Sequence, residues 1–319
     1  MKGEKFFIME NTSKNLETKR IIIYLVTTFL LTILYCVFVI YPLNNGENIQ
    51  NIPPVVVQLL VAAAMFFPAI GVLLTRLFTK EGFKNSWLHP RFKGHIRYYL
   101  LAYFGPGILT ILGCVVYFLI FPKQYDPECG YMAATLTAAG TPADAIPVPI
   151  PTLMLIQGIQ ALLLGPILNF VTCFGEEWGW RGYLLPKMAE KMHAIPMLLL
   201  NGVIWGLWHA PLTIIGHNYG VGYPGFPFTG IFAMCCFCII MGIFLSYVTM
   251  KTKSCLPAVL GHGAINSIGA IGMYFTVDGG NPFVGPAPTG IVGAIPFIAV
   301  AIIMCVFYFS KNPKFQENE

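Results

Sequence analysis

From Ile21 to Phe309 the chain alternates long apolar runs with short polar connectors, and that alternation constrains the fold more than any other feature. Runs at 21–41, 53–78, 98–121, 151–175, 196–216, 228–250, 255–277 and 289–309 each approach the roughly 20 residues that one helix needs to cross hydrocarbon. Backbone inside hydrocarbon must satisfy its own hydrogen bonds, which makes such runs helical. The expected fold is therefore all-α: a polytopic transmembrane bundle of eight spans. Residues 1–319 form a single integral membrane domain with a polar N-terminal tail at 1–20 and a C-terminal tail at 310–319. Charged residues make up 10% of the chain, far below the roughly 25% of a soluble domain, which excludes a soluble enzyme.

Charge placement sets the orientation. With the N-terminus inside and sides alternating, every Lys and Arg except Lys123 falls on the inner side. An excess of basic residues marks cytoplasmic loops, so both termini are expected in the cytoplasm and the protein in the cell membrane. The net charge of +5 then reports topology, and no nucleic-acid partner is implied. Residues 79–97 mix Lys, Arg and His with Phe83, Trp87, Leu88 and Phe92, as an amphipathic stretch on the inner surface does. Residues 122–150 make a long outer loop rich in Pro, Ala and Thr. Of the nine cysteines, only Cys129 lies outside the spans or their edges, so no disulfide framework is indicated. The run Cys235-Cys236-Phe237-Cys238 reads as small apolar filler in a helix.

Against this background a few polar residues stand out. Gly175-Glu176-Glu177-Trp178-Gly179-Trp180-Arg181 puts two carboxylates and a guanidinium at the end of the fourth run. In a helix Glu177 and Arg181 sit four apart and can pair, leaving Glu176 on a neighbouring face. Taken alone, this stretch reads equally well as an interfacial salt bridge. The fifth run holds His209 in Trp205-Gly206-Leu207-Trp208-His209, and the seventh holds His262 and Asn266, one turn apart on one face. A lone intramembrane histidine is more often an interhelical hydrogen bond than a ligand. Polar groups in spans face the bundle interior, however, and find one another there.

Two imidazoles and a carboxylate make a zinc site with one position open for water, so Glu176, His209 and His262 are the expected metal ligands. A neighbouring carboxylate can take the water's proton, and an asparagine amide can donate to an oxyanion. A metal-free version has Glu176 and a histidine activating water together. Both versions hydrolyse an amide within the membrane. Depth strains this reading: at about 1.5 Å per residue, His262 lies about 10 Å and His209 about 20 Å from their inner span ends, while Glu176 lies almost at the surface. The fourth helix is therefore expected to continue past Glu177 toward Pro186, lining a water-filled cavity open to the cytoplasm. His193 and His217 are expected at the surface, Asp278 to cap a turn, and Gln157, Gln160 and Asn169 to bond neighbouring helices.

Glu-Glu-x-x-x-Arg (Glu176, Glu177, Arg181), aromatic-x-x-x-His (Trp205, His209) and His-x-x-x-Asn (His262, Asn266) occur in that order on three spans. Over roughly 151–277 this pattern resembles the CPBP intramembrane proteases, which include the type II CAAX prenyl endopeptidases and the bacteriocin-processing Abi proteins. Trp205 stands where that family usually has phenylalanine. The resemblance implies an eight-span intramembrane endopeptidase, either a zinc metalloprotease or a metal-free glutamate enzyme, with Glu176 and His209 activating water. It implies that His262 and Asn266 position the metal or stabilise the oxyanion, while Glu177 and Arg181 brace them. Its expected partners are the lipid bilayer and a peptide substrate, either prenylated or a leader peptide. The rival readings are a non-catalytic immunity or scaffold protein of the same fold and a proton-coupled carrier. A carrier is expected to show internal repeats, and the sequence has none.

Overall fold

The structure, a computed structural model, describes residues 2–45, 54–141 and 145–312. Helix α1 (Lys2–Tyr35) runs without a break from the polar N-terminal residues into the first apolar run. It widens into one π-helical turn at Cys36–Ile40 and continues as Tyr41–Asn45. The second run is jointed: α2 (Pro54–Ala63) and α3 (Phe67–Phe78) are separated by a 3-10 turn at Ala64–Phe66. Pro68 lacks the N–H that would close a bond to Ala64, which accounts for the break.

Next come α4 (Ile96–Ile120) and the short α5 (Gly130–Ala138), the latter inside the expected outer loop. Helix α6 (Ile150–Leu168) ends where Pro166 removes another N–H, and the Asn169 amide donates to the Gly165 carbonyl at 3.0 Å. Helix α7 (Phe170–Gly179) starts at once and runs on through a π-helical turn, Trp180–Leu184, into Leu185–Ala189. The expected extension past Glu177 is thus present, but it belongs to a new helix beyond a break at Asn169. Helices α8 (Ala194–Trp208), α9 (Phe228–Thr252), α10 (Leu256–Ile268) and α11 (Ile295–Met304) complete the bundle.

Among the described residues six helical stretches are long and apolar enough to cross a membrane: Asn15–Leu43, Val55–Phe78, Ile96–Ile120, Ile150–Leu168, Phe228–Thr252 and Leu256–Phe275. Two shorter apolar helices, Ala194–Trp208 and Ile295–Phe309, occupy the remaining expected runs. The chain is a multi-pass membrane protein, and its outward faces carry exposed Leu77, Leu119 and Phe307, as a lipid-facing surface requires. The centre is built on Trp180, Trp205, Trp208, Tyr24 and Tyr183, all buried. Helices α8 and α9 touch closely because Gly202 and Gly206, one turn apart, present no side chain to Ile239 and Cys235.

Two expectations about the connectors change. Residues 79–95 form irregular chain with no helix. Gly82 and Gly94 take positive φ, as do Lys80, Asn85 and Trp87, so the amphipathic stretch is not helical. Phe83 and Phe92 remain exposed, while the Trp87 carbonyl accepts from the Cys255 N–H at 2.9 Å and ties the segment to the start of α10. Cys129, placed in a loop by the sequence, is buried. Asp278 does hold a turn, accepting from the Gly280 N–H at 2.9 Å.

Candidate active site

Helix α7 carries its two carboxylates into the bundle centre because Gly175 lets it approach the 3-10 turn between α2 and α3. A Cβ at Gly175 would lie 2.6 Å from the Met65 carbonyl oxygen. The next two residues, Glu176 and Glu177, point to different partners, as successive positions on a helix must.

Glu177 is fully buried. Its Oε1 accepts from Arg181 Nη1 at 3.0 Å and from His262 Nδ1 at 2.8 Å. The pairing expected from the four-residue spacing is therefore present, and it also captures a histidine from α10. Arg181 is fully buried too, with its guanidinium carbon 4.1 Å from the Trp205 ring centroid. Its Nε and Nη2, and Glu177 Oε2, have no hydrogen-bond partner.

Glu176 is 2% exposed, and its Oε2 accepts from Trp205 Nε1 at 2.8 Å. The same tryptophan's backbone carbonyl lies 2.9 Å from His209 Nδ1. A carbonyl oxygen only accepts, so Nδ1 carries the proton and His209 Nε2 keeps its lone pair. Against Glu177 the same logic puts a proton on His262 Nδ1 and leaves Nε2 free for the cavity. Trp205 also meets the His262 ring edge to face at 5.4 Å. Four groups of the site are thus oriented by one residue: Glu176, Arg181 and His262 by the Trp205 ring, and His209 by its carbonyl. The sequence showed Trp205 only as an aromatic wall. The missed signal was its ring N–H, a donor that phenylalanine lacks. Trp208 plays a parallel part: it packs on His209 with ring centroids 4.8 Å apart and donates from Nε1 to Thr32 Oγ1 at 2.7 Å.

Glu176, His209, His262 and Asn266 all wall one cavity of about 930 Å³. Asn266 is exposed to that space, and its amide lies 3.7 Å from Cys173 Sγ. Glu177 and Arg181 stand behind the wall and hold His262 without facing the cavity. Asn169 lines the cavity, whereas Gln157 and Gln160 are exposed elsewhere. His217, expected at the surface, is exposed and also lines the cavity.

The direction of the cavity departs from expectation. Its wall includes Val57–Leu59, Ile215–Asn218, Gly269, Met273 and Ala287–Thr289, all from the end opposite the basic residues. No residue of the basic end lines this cavity. At that end Trp180, Tyr183, Leu184 and Leu185 are buried, closing the floor.

The donor set of Glu176, His209 and His262 suits zinc by type, since each ring has one nitrogen committed and the other presented. As placed, however, no group of three His, Cys, Asp or Glu side chains among the described residues stands close enough to hold a metal ion. The three share a cavity wall without forming a ligand cage.

Residues 158–268 match the family described as type II CAAX prenyl endopeptidase Rce1-like. The chain is also 32% identical over 94 residues to a CAAX prenyl protease 2 of Methanococcus maripaludis. That similarity covers 28% of this chain and 34% of the relative, so the chain spans about a third of the length of the curated relative it matches. Both matches fall on the segment that carries the three motifs, so the similarity to the CAAX prenyl endopeptidases rests on this core.

Proposed function

We propose that this protein is an intramembrane endopeptidase in which Glu176 and His209 activate water for attack on a peptide bond. The observation that carries the reading is that Glu176, His209, His262 and Asn266, contributed by three helical segments, wall a single cavity. Glu176 is fixed through one oxygen by Trp205, leaving the other for water; His209 is fixed through Nδ1, leaving Nε2. Water held between them loses a proton to Glu176 as its oxygen adds to the scissile carbonyl carbon. Asn266 donates its amide N–H to the oxyanion, a contribution typically of a few kcal/mol. Glu176 then returns the proton to the departing nitrogen, the C–N bond breaks, and a carboxylate and an amine leave. Proton transfer by a positioned base typically supplies about 10²–10⁴ in rate. His262, held by Glu177 and Arg181, keeps its Nε2 turned to the reacting centre.

A second reading places zinc on Glu176, His209 and His262. It is favoured by the committed Nδ1 of each ring, the arrangement that orients metal-binding histidines. Bound there, zinc would lower the pKa of its water toward neutrality. Metal analysis of purified protein, with His209→Ala as the comparison, separates the two: stoichiometric zinc lost in the variant supports the ion.

The name of the archaeal relative makes prenylated C-terminal peptides one candidate substrate class for this chain, with leader peptides another. The test of the endopeptidase reading uses reconstituted protein and a membrane-anchored peptide library read by mass spectrometry. Glu176→Gln and Asn266→Ala should abolish or strongly reduce new termini while folding and abundance hold. Cleavage by Glu176→Gln at the parental rate would overturn the reading and favour a scaffold role.

A further inference from the structure

The cavity and the charge pattern define opposite ends of the molecule. At one end Arg20 donates to Thr79 Oγ1 at 3.2 Å, Lys187 bonds Glu17 and Glu81, and Lys251 sits 3.9 Å over the Tyr308 ring. Tyr183 donates to Glu81 at 2.7 Å there, and the Trp87 carbonyl seals the start of α10. These contacts close that end above Glu176. The basic excess makes it the cytoplasmic end.

At the other end the wall is made by the first turns of α2, the chain after α8, the residues following α10 and the connector before α11. Asp126 N–H to Phe275 O at 2.8 Å and Tyr219 OH to Thr289 O at 3.3 Å tie these connectors into one rim. Glu176 is the sole acidic side chain in the wall, histidines are its sole basic ones, and most of the remainder is aliphatic or Met. Leu59 and Leu168 both line the cavity and are 65% and 77% exposed, so the space is open sideways between α2 and the α6–α7 junction.

We infer that the scissile bond reaches Glu176 from the extracytoplasmic half of the bilayer, carried by a membrane-embedded peptide whose cleaved stretch is uncharged. The inference rests on the endopeptidase reading for what happens to the peptide, but the side of approach is independent of it. An aliphatic wall desolvates whatever enters, and a charged side chain next to the bond would lose its hydration without gaining a partner. The sideways gap lets a chain already in hydrocarbon slide in without first leaving the membrane.

Two experiments test it. In the first, His217→Cys and Thr289→Cys at the rim and Lys84→Cys at the basic end are each compared with the parent for reaction with a membrane-impermeant maleimide. The rim variants should be labelled in intact cells and protected in sealed inside-out vesicles, with Lys84→Cys showing the reverse. Labelling of rim and basic-end positions from one side, or of neither rim position from outside, overturns the inference. Repeating the labelling on a Glu176→Gln background reads access without catalysis, so a missing activity and a wrong side of approach are told apart. In the second, proteoliposomes sorted with the basic end inside receive quenched peptides anchored in the outer monolayer. Cleavage is expected there, with loss when Lys is placed beside the scissile bond. Cleavage confined to liposomes with the basic end outside, or indifference to that Lys, overturns it.

Discussion

Replacing Arg181 with Met isolates what the buried triad of Glu177, Arg181 and His262 contributes. At 3.0 Å the pair's attraction is on the order of 5 kcal/mol for an effective dielectric of 20. Burying each ion costs several kcal/mol, so the intact pair comes out near balance. The contact over the Trp205 face adds about 2 kcal/mol in a desolvated setting. Deleting the guanidinium alone leaves the Glu177 carboxylate buried with His262 as its remaining partner, and Arg181→Met should destabilise the fold by about 3–5 kcal/mol. Changing both charges, as Glu177→Gln with Arg181→Met, removes the uncompensated carboxylate while Gln keeps an acceptor for His262. The double variant should therefore be less destabilised than Arg181→Met, by about 1–3 kcal/mol. Reversible unfolding in mixed micelles, followed by tryptophan fluorescence, measures all three species in one assay. If the double variant is as unstable as the sum of the singles, or Arg181→Met costs under about 1 kcal/mol, the triad is not the brace described here.

Other outcomes follow from the same contacts. Trp208→Phe keeps the packing on His209 but removes the bond to Thr32, and should cost about 1 kcal/mol in the same unfolding assay with cleavage largely retained. Gly175→Val must push α7 off the Met65 carbonyl; about 1–3 kcal/mol of destabilisation should accompany a loss of cleavage out of proportion to it, seen as a fall in kcat. Lys187→Met breaks two ion pairs at the basic end, to Glu17 and to Glu81. It should shift the unfolding midpoint slightly, and less at high salt, with cleavage unchanged.

The apolar runs and the three motifs were legible because each depends on residue type and local spacing. Depth was not, and the reason is specific. A sequence reader ends a span where charge begins, which put Glu176 at the membrane surface and some 20 Å from His209. Here the chain breaks earlier, at Asn169, where Pro166 and the Asn169 side chain end α6. It then restarts as a helix whose acidic residues are interior, with the π-helical turn Trp180–Leu184 carrying it on toward the basic end. Glu177 and Arg181 neutralise one another and Trp205 holds one oxygen of Glu176, so charge ceases to mark an interface. The opening of the cavity was misjudged for the same reason. With Glu176 placed at the cytoplasmic surface, a cytoplasmic mouth was the short route; with Glu176 sunk beneath buried Trp180, Tyr183 and Leu184, the open route runs the other way. Positive-inside bias fixes which end of a helix faces the cytoplasm, but it carries no information about which end of a bundle is hollow. That is decided by glycines and aromatics from helices far apart in sequence: Gly175 closing one side, Trp205 and Trp208 propping the other.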